Sequence, residues 1–153
     1  MSKERVYPVK PEWAANAWID AEQYETWYRQ SIDDPEAFFA HQAEQFIDWF
    51  EPWQKVREQD FSQGLARWFV GGKLNVSYNC IDRHLPKKAN DAAIIWEGDD
   101  PATDKTVSYQ QLHDKVCRLA NLLKARGVKK GDRVCIYMPM ILELPVAMLA
   151  CSR

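Results

Sequence analysis

The sequence predicts an α/β fold with an aromatic, helical amino-terminal part, and three stretches carry that expectation. Ala92–Trp96 and Lys105–Val107 are short runs of strand type. They flank a turn-rich tip at 98–104, which suits a β-hairpin with a long loop. Residues 109–126 place Tyr109, Leu112, Val116, Leu119, Ala120 and Leu123 at 3-4 spacing, so one helical face is apolar. Arg133–Met138 is apolar on both faces, the mark of a strand covered on two sides. A helix followed by such a strand is half of an α/β layer, which needs further chain to complete it.

Residues 1–18 are expected to be irregular, because Pro8 and Pro11 interrupt them. Tyr7, Trp13 and Trp18 offer bulky anchors for draping on a larger body. Asp20 and Gln23 form a capping-box pattern that opens a helix carrying Tyr24, Trp27 and Tyr28. Asp34-Pro35 opens a second helix, with proline where its missing N–H costs nothing. Phe39, Ala43, Phe46, Ile47 and Phe50 continue its stripe, and Pro52 marks its expected end. Trp53–Phe61 suits a short edge strand. Six of the seven tryptophans lie between Trp13 and Trp68, too many rings for a small helical layer to hide within itself.

Gly71-Gly72-Lys73 invites comparison with a phosphate loop. Leu74 follows the lysine where Ser or Thr is needed, so the favoured reading is a glycine turn leading into a helix capped by Asn75. Tyr78, Ile81 and Leu85 line that helix, and Pro86 is expected to close it. Ser108 with Gln111 forms a second capping box, with Val107 and Leu112 placed as a hydrophobic staple. Gly127 is expected to end the helix in a left-handed conformation, with Val128 touching Leu123. Lys129–Asp132 is a turn, and Pro139 stops the strand before it. The last helix follows Pro139; it is apolar nearly all round, which predicts burial.

Chemistry-bearing motifs are few. Asp99 and Asp100 have no histidine or third acid nearby, so a solvated loop tip is expected rather than a metal site. His41, His84 and His113 are read as isolated, without an i, i+4 ligand partner. No G-x-S-x-G and no G-x-G-x-x-G occurs. The formal net charge of −2 and the interspersed acids and bases give no basic stripe for nucleic acid. Cys80, Cys117, Cys135 and Cys151 form no C-x-x-C pair. Cys117 and Cys135 fall in expected core elements, and reduced thiols are expected. The start, MSKERVYPVKPEW, has no apolar signal-peptide core, and no run approaches the ~18 apolar residues of a membrane span. A soluble, cytoplasmic protein is expected.

The runs FVGGKLNVSYNCIDRHL (Phe69–Leu85), AAIIWEGDD (Ala92–Asp100), VKKGDRVCIYMPMI (Val128–Ile141) and AMLAC (Ala147–Cys151) resemble the amino-terminal part of AMP-forming acetyl-CoA synthetases. These belong to the adenylate-forming acyl-CoA synthetase superfamily. DPEAFFAHQAEQFIDWFEPW is similar to that family's amino-terminal extension. Relatives commonly carry proline at Leu142 and alanine at Ser152. The resemblance implies two domains: a helical extension over 1–65, and the first, incomplete part of the AMP-binding domain over 66–153. It implies an acetate–CoA ligase that converts ATP, acetate and CoA to acetyl-CoA, AMP and pyrophosphate through acetyl-adenylate, with Mg²⁺ assisting. The family's serine/threonine/glycine-rich lysine loop, nucleotide pocket, ribose-binding aspartate and carboxy-terminal lysine have no counterpart here. No catalytic, cofactor-binding or metal residue is therefore carried over, and ATP, CoA and Mg²⁺ are not expected to bind this chain well. The alternatives are a non-catalytic packing piece that docks on the remainder of the enzyme, or part of a propionate-type relative.

Overall fold

The computed structural model describes residues 7–153. The chain forms two compact units. One comprises residues up to Phe46 with Gln54–Val70, and the other Ile47–Trp53 with Gly71–Arg153.

The first unit is helical with one hairpin. Of the segment expected to be irregular, residues 1–6 lie outside the described residues, and Pro11–Ala15 is a short helix, α1. Pro11 sits in its first turn, where a fixed φ favours the helix, and the Asn16 side chain donates to the Glu12 carbonyl at 2.8 Å. Tyr7, Trp13 and Trp18 are all exposed. Helix α2, Ala21–Asp33, begins with the expected capping box. The Gln23 N–H donates to Asp20 Oδ1 at 2.8 Å, and the Asp20 N–H donates to Gln23 Oε1 at 3.1 Å. Tyr24 and Tyr28, one turn apart, stack at 6.3 Å. Helix α3, Pro35–Phe46, is capped by Asp34, whose Oδ1 accepts from the Ala37 N–H at 3.0 Å.

Strand β1, Lys55–Asp60, is the expected short strand. Its antiparallel partner β2, Leu65–Val70, is an addition to the expected elements. The mixed polar and bulky composition of Leu65–Val70 hid its period. Asp60 opens the connecting turn by accepting from Ser62, and Gly64 completes it at φ +65°, a conformation that suits glycine. Helix α3 packs on β1. Phe39 meets Trp68 edge to face at 5.1 Å, and Arg57 lies over the Trp68 ring and 3.5 Å from Glu36.

In the second unit, 47–53 is not helical. The stripe expected to reach Pro52 ends at Phe46, because the next amides bond elsewhere. The Asp48 N–H donates to Asn79 Oδ1 at 2.8 Å, and the Phe50 N–H donates to the Lys73 carbonyl at 2.8 Å. Asn75 caps helix α4, Val76–Cys80, as expected. That helix does not run on to Pro86. Ile81 leaves helical geometry, a 3-10 turn covers Asp82–His84, and helix α5, Leu85–Lys88, starts with Pro86 in its first turn. A proline tolerated at a helix start thus opens an element it was expected to close.

Strands β3, Ala92–Trp96, and β4, Lys105–Ser108, form the expected antiparallel hairpin, with an irregularity between Ala92 and Ile94. A Cβ on Gly98 would lie 2.7 Å from Thr103 Oγ1 and 3.0 Å from the Trp96 ring, so any larger residue there would force those side chains to shift. Helix α6, Tyr109–Ala125, has its capping box: the Gln111 N–H donates to Ser108 Oγ, and the Ser108 N–H donates to Gln111 Oε1. It ends as expected. Gly127 takes φ +86°, the Val128 N–H donates to the Leu123 carbonyl at 3.1 Å, and the Gly127 N–H donates to that of Lys124 at 3.0 Å. Helix α7, Glu143–Cys151, buries Val146, Ala147 and Ala150. Ile81, Val107, Leu112, Val116, Ala120, Val146 and Ala150 form the core between hairpin, α6 and α7.

Arg133–Met138 departs most from expectation. It belongs to no regular element, and Tyr137 is 100% exposed. Cys135, expected in the core, is exposed with it. A strand apolar on both faces needs neighbouring strands for its backbone and covering layers for its side chains. Among the described residues, no strand pairs with it.

Candidate functional site

The described residues with the most chemistry in one place lie where α4, α6 and α7 approach one another. Asn75 positions α4 by accepting the Tyr78 N–H, and its own side-chain amide donates to the Ser152 carbonyl at 2.8 Å. These bonds bring Arg153, just past α7, to the end of α4. Its guanidinium forks onto Asp82, with Nη1 at 2.8 Å from Oδ2 and Nη2 at 2.7 Å from Oδ1. Two parallel charge-assisted bonds of this kind fix orientation as well as charge. The Arg153 Nη1 also donates to Ser77 Oγ at 3.4 Å, and Ser77 is fully buried.

Helix α6 supplies the third side of the cluster. His113 Nε2 lies 3.5 Å from Asp82 Oδ1, 3.4 Å from Arg153 Nη2 and 3.4 Å from Cys117 Sγ. Its Nδ1 faces Asp114 Oδ1 at 3.5 Å. The bonds from Arg153 hold the Asp82 carboxyl below the usual carboxylate range, against the opposing effect of burial. Chemically, the cluster is an ion-paired clip with an imidazole and a thiol beside it. Sequence reasoning treated His113 as isolated. Cys117, four residues further on, was the available signal, because i, i+4 side chains share a helix face. Asp82 and Arg153 carried no such signal; only the fold brings residues 71 positions apart together.

The other residues singled out in the sequence are dispersed. Lys73 Nζ is 2.8 Å from Glu51 Oε2, and the two residues form an isolated antiparallel bridge. Asp100 Oδ1 accepts the Ala102 N–H at 2.9 Å, an Asx turn at the hairpin tip. His41 is exposed on α3, and the half-buried His84 ring lies 5.3 Å from that of Tyr109. Among the described residues, no group of three His, Cys, Asp or Glu side chains is placed to hold a metal ion. A groove of ≈ 800 Å³ lies beside α6 and α7. Leu123, Val134, Ile136 and Met148 line it, with Lys124 and Lys129 at its edge.

A family model described as acetyl-coenzyme A synthetase N-terminus matches residues 24–80, and one described as AMP-binding enzyme matches residues 81–153. The acetyl-coenzyme A synthetase of Saccharophagus degradans is 63% identical over 153 residues, all of this chain. Over its whole length the chain is similar to the amino-terminal part of acetyl-coenzyme A synthetases. The acetyl-coenzyme A synthetase of Magnetococcus marinus is 61% identical over the same span. The chain spans 24% of the length of each of these relatives and corresponds to an amino-terminal segment of them. Among solved structures, acetoacetyl-CoA synthetase from Streptomyces lividans superposes with a TM-score of 0.75 at 29% identity, over 92% of this chain and 22% of that one. The fold is thus α/β: a helical amino-terminal part followed by the opening of an adenylate-forming domain. Among the described residues, no helix is long and apolar enough to cross a membrane.

Proposed function

We propose that this chain provides the amino-terminal scaffold of an acetate–CoA ligase and does not itself hold the reacting groups. In the reaction, an acetate oxygen attacks the α-phosphorus of ATP and pyrophosphate leaves. The CoA thiol sulfur then attacks the acyl carbon and AMP leaves. The observation that carries the proposal is the 63% identity to an acetyl-coenzyme A synthetase over the whole chain. Both steps need donors aimed at developing phosphoryl and acyl charge. The cluster described above supports the scaffold reading, because the Arg153 guanidinium already has both Asp82 oxygens as partners. Residues 1–65 act in this proposal as the helical extension and 66–153 as the first part of the adenylation domain. ATP, acetate and CoA are the substrates of the ligase in this reading. A cytoplasmic location suits the four unpaired thiols.

A packing role in contact with the remaining three quarters of such an enzyme is the second reading. The exposed apolar run 133–138 and the groove beside it favour it. Exchange of labelled pyrophosphate into ATP, dependent on acetate, tests the proposal in two arms. The purified chain is expected to stay at the blank rate, and exchange above blank would overturn the scaffold reading. A chimera in which this chain replaces the matching segment of the Saccharophagus degradans relative is expected to exchange at close to the parent's rate. A folded but inactive chimera would overturn the assignment to the acetate ligase.

A further inference from the structure

The second unit holds a cavity of ≈ 110 Å³ beside its core. Four elements build the walls. Ile94 and Val107 come from the hairpin, Leu112 from α6, and Leu142 and Val146 from the start of α7. Val107, Leu112 and Val146 are buried, and Ile94 and Leu142 are half-buried. The walls are tied to one another. The Trp96 indole N–H donates to the Met140 carbonyl at 2.8 Å, which pins the approach to α7 against the hairpin. The register irregularity between Ala92 and Ile94 falls on the strand that lines the cavity, and such irregularities bend a strand and re-aim its side chains.

The lining decides what suits the space. A buried water needs about two to four polar partners, and these five side chains offer methyl groups. Among the described residues, no buried side-chain nitrogen or oxygen lacks a partner that a water there could supply. The two polar residues of the lining, Lys115 and Glu143, are exposed and opposite in charge. An anion at the rim meets Glu143 as well as Lys115, and a cation meets both in turn, so neither sign is favoured. A charge drawn further in loses hydration that methyl groups cannot replace. Volume sets the size: an apolar cavity of about 150 Å³ stays dry and takes benzene or xenon.

We propose that this cavity is a binding site for small, neutral, apolar molecules of xenon to benzene size. It shares no residue with the Asp82–Arg153 cluster or with the groove beside α6 and α7, so it stands whether or not the ligase reading holds.

The test is a benzene titration of the native chain, read from the methyl resonances of isoleucine, leucine and valine. Saturable shifts are expected at Ile94, Val107, Leu112, Leu142 and Val146, and not at Leu123, Val134 and Ile136 of the groove. Acetate is small enough to enter but charged, and is expected to leave the same methyls unmoved at the same concentration. Val146→Phe places a ring in the cavity and is expected to weaken benzene binding by about tenfold or more, as one methylene of misfit can in an apolar pocket. If Val146→Phe unfolds the chain, Leu142→Phe fills the space from its half-buried wall with the same expected loss. The proposal is overturned if the native chain shows no saturable shift at the five residues, or if the groove methyls shift equally. It is also overturned if acetate moves the cavity methyls as benzene does, or if benzene affinity survives either substitution in a folded chain.

Discussion

Arg153 and Asp82 show how far one residue pair shapes the end of α7. The carboxyl is held low by the guanidinium, so its contribution to stability has a definite sign. A depressed native pKa stabilises the fold above the unfolded-state value, about 3.9 for aspartate, and the contribution disappears as pH falls through the lower native value. Asp82→Asn is expected to cost about 1 kcal/mol at pH 7, discounted for partial exposure of the pair. It should also flatten the loss of stability below about pH 4. Urea denaturation of both proteins at pH 7 and pH 3 measures this; equal acid sensitivity would exclude the clip as its source. Arg153→Lys keeps the charge and loses the fork, and is expected to fall between the two. The i, i+4 spacing of His113 and Cys117 stood in the sequence but His113 was read as isolated, whereas the Asp82 and Arg153 partners left no local signal, because nothing nearby in the chain joins them.

Helix α6 is the element whose boundaries were written most plainly in the chain. Its start is a reciprocal bond pair between Ser108 and Gln111, and its end is the glycine at φ +86°. Both devices act over a few residues, which is why spacing alone revealed them. Ser108→Ala is expected to destabilise the second unit by about 1 kcal/mol. Gly127→Ala is expected to cost about 1–2 kcal/mol for the left-handed backbone alone, since an added Cβ there meets nothing within 4 Å. Amide hydrogen exchange in the first and last turns of α6 separates the two: each substitution should speed exchange at its own end. The helix at Val76 was legible only at its Asn75 cap, because its break at Ile81 and the restart at Pro86 depend on burying the Ile81 side chain completely. Leu65–Val70 was missed as a strand because its partner, rather than its own period, makes it one.

At the scale of the whole molecule, the segment after Gly131 shows what composition cannot decide. Tyr137 and Met140 are 100% and 82% exposed, although their neighbours read as a covered strand. Large apolar side chains in water forgo roughly 1.5–3 kcal/mol each and favour association. Tyr137→Lys with Met140→Lys is expected to raise the soluble yield of the isolated chain and to lower its binding of an apolar fluorescent dye. The melting midpoint should change little, since fully exposed sites contribute about ±0.5 kcal/mol. A fall in dye binding accompanied by a large loss of stability would mean that these residues pack internally.

The sequence by itself determined where α2 and α6 begin, where α6 ends, which hairpin flanks the core, and which family the chain resembles. Caps, turns and short motifs are local, and a reader of the chain needs only neighbouring residues to see them. Tertiary structure alone decided that Asp82, His113, Cys117 and Arg153 meet, that 47–53 leaves the helix, and that 133–138 stays unpaired. Each of those outcomes depends on partners distant in the chain: an amide diverted to Asn79, a guanidinium brought across by α7, and a strand neighbour that the described residues do not supply.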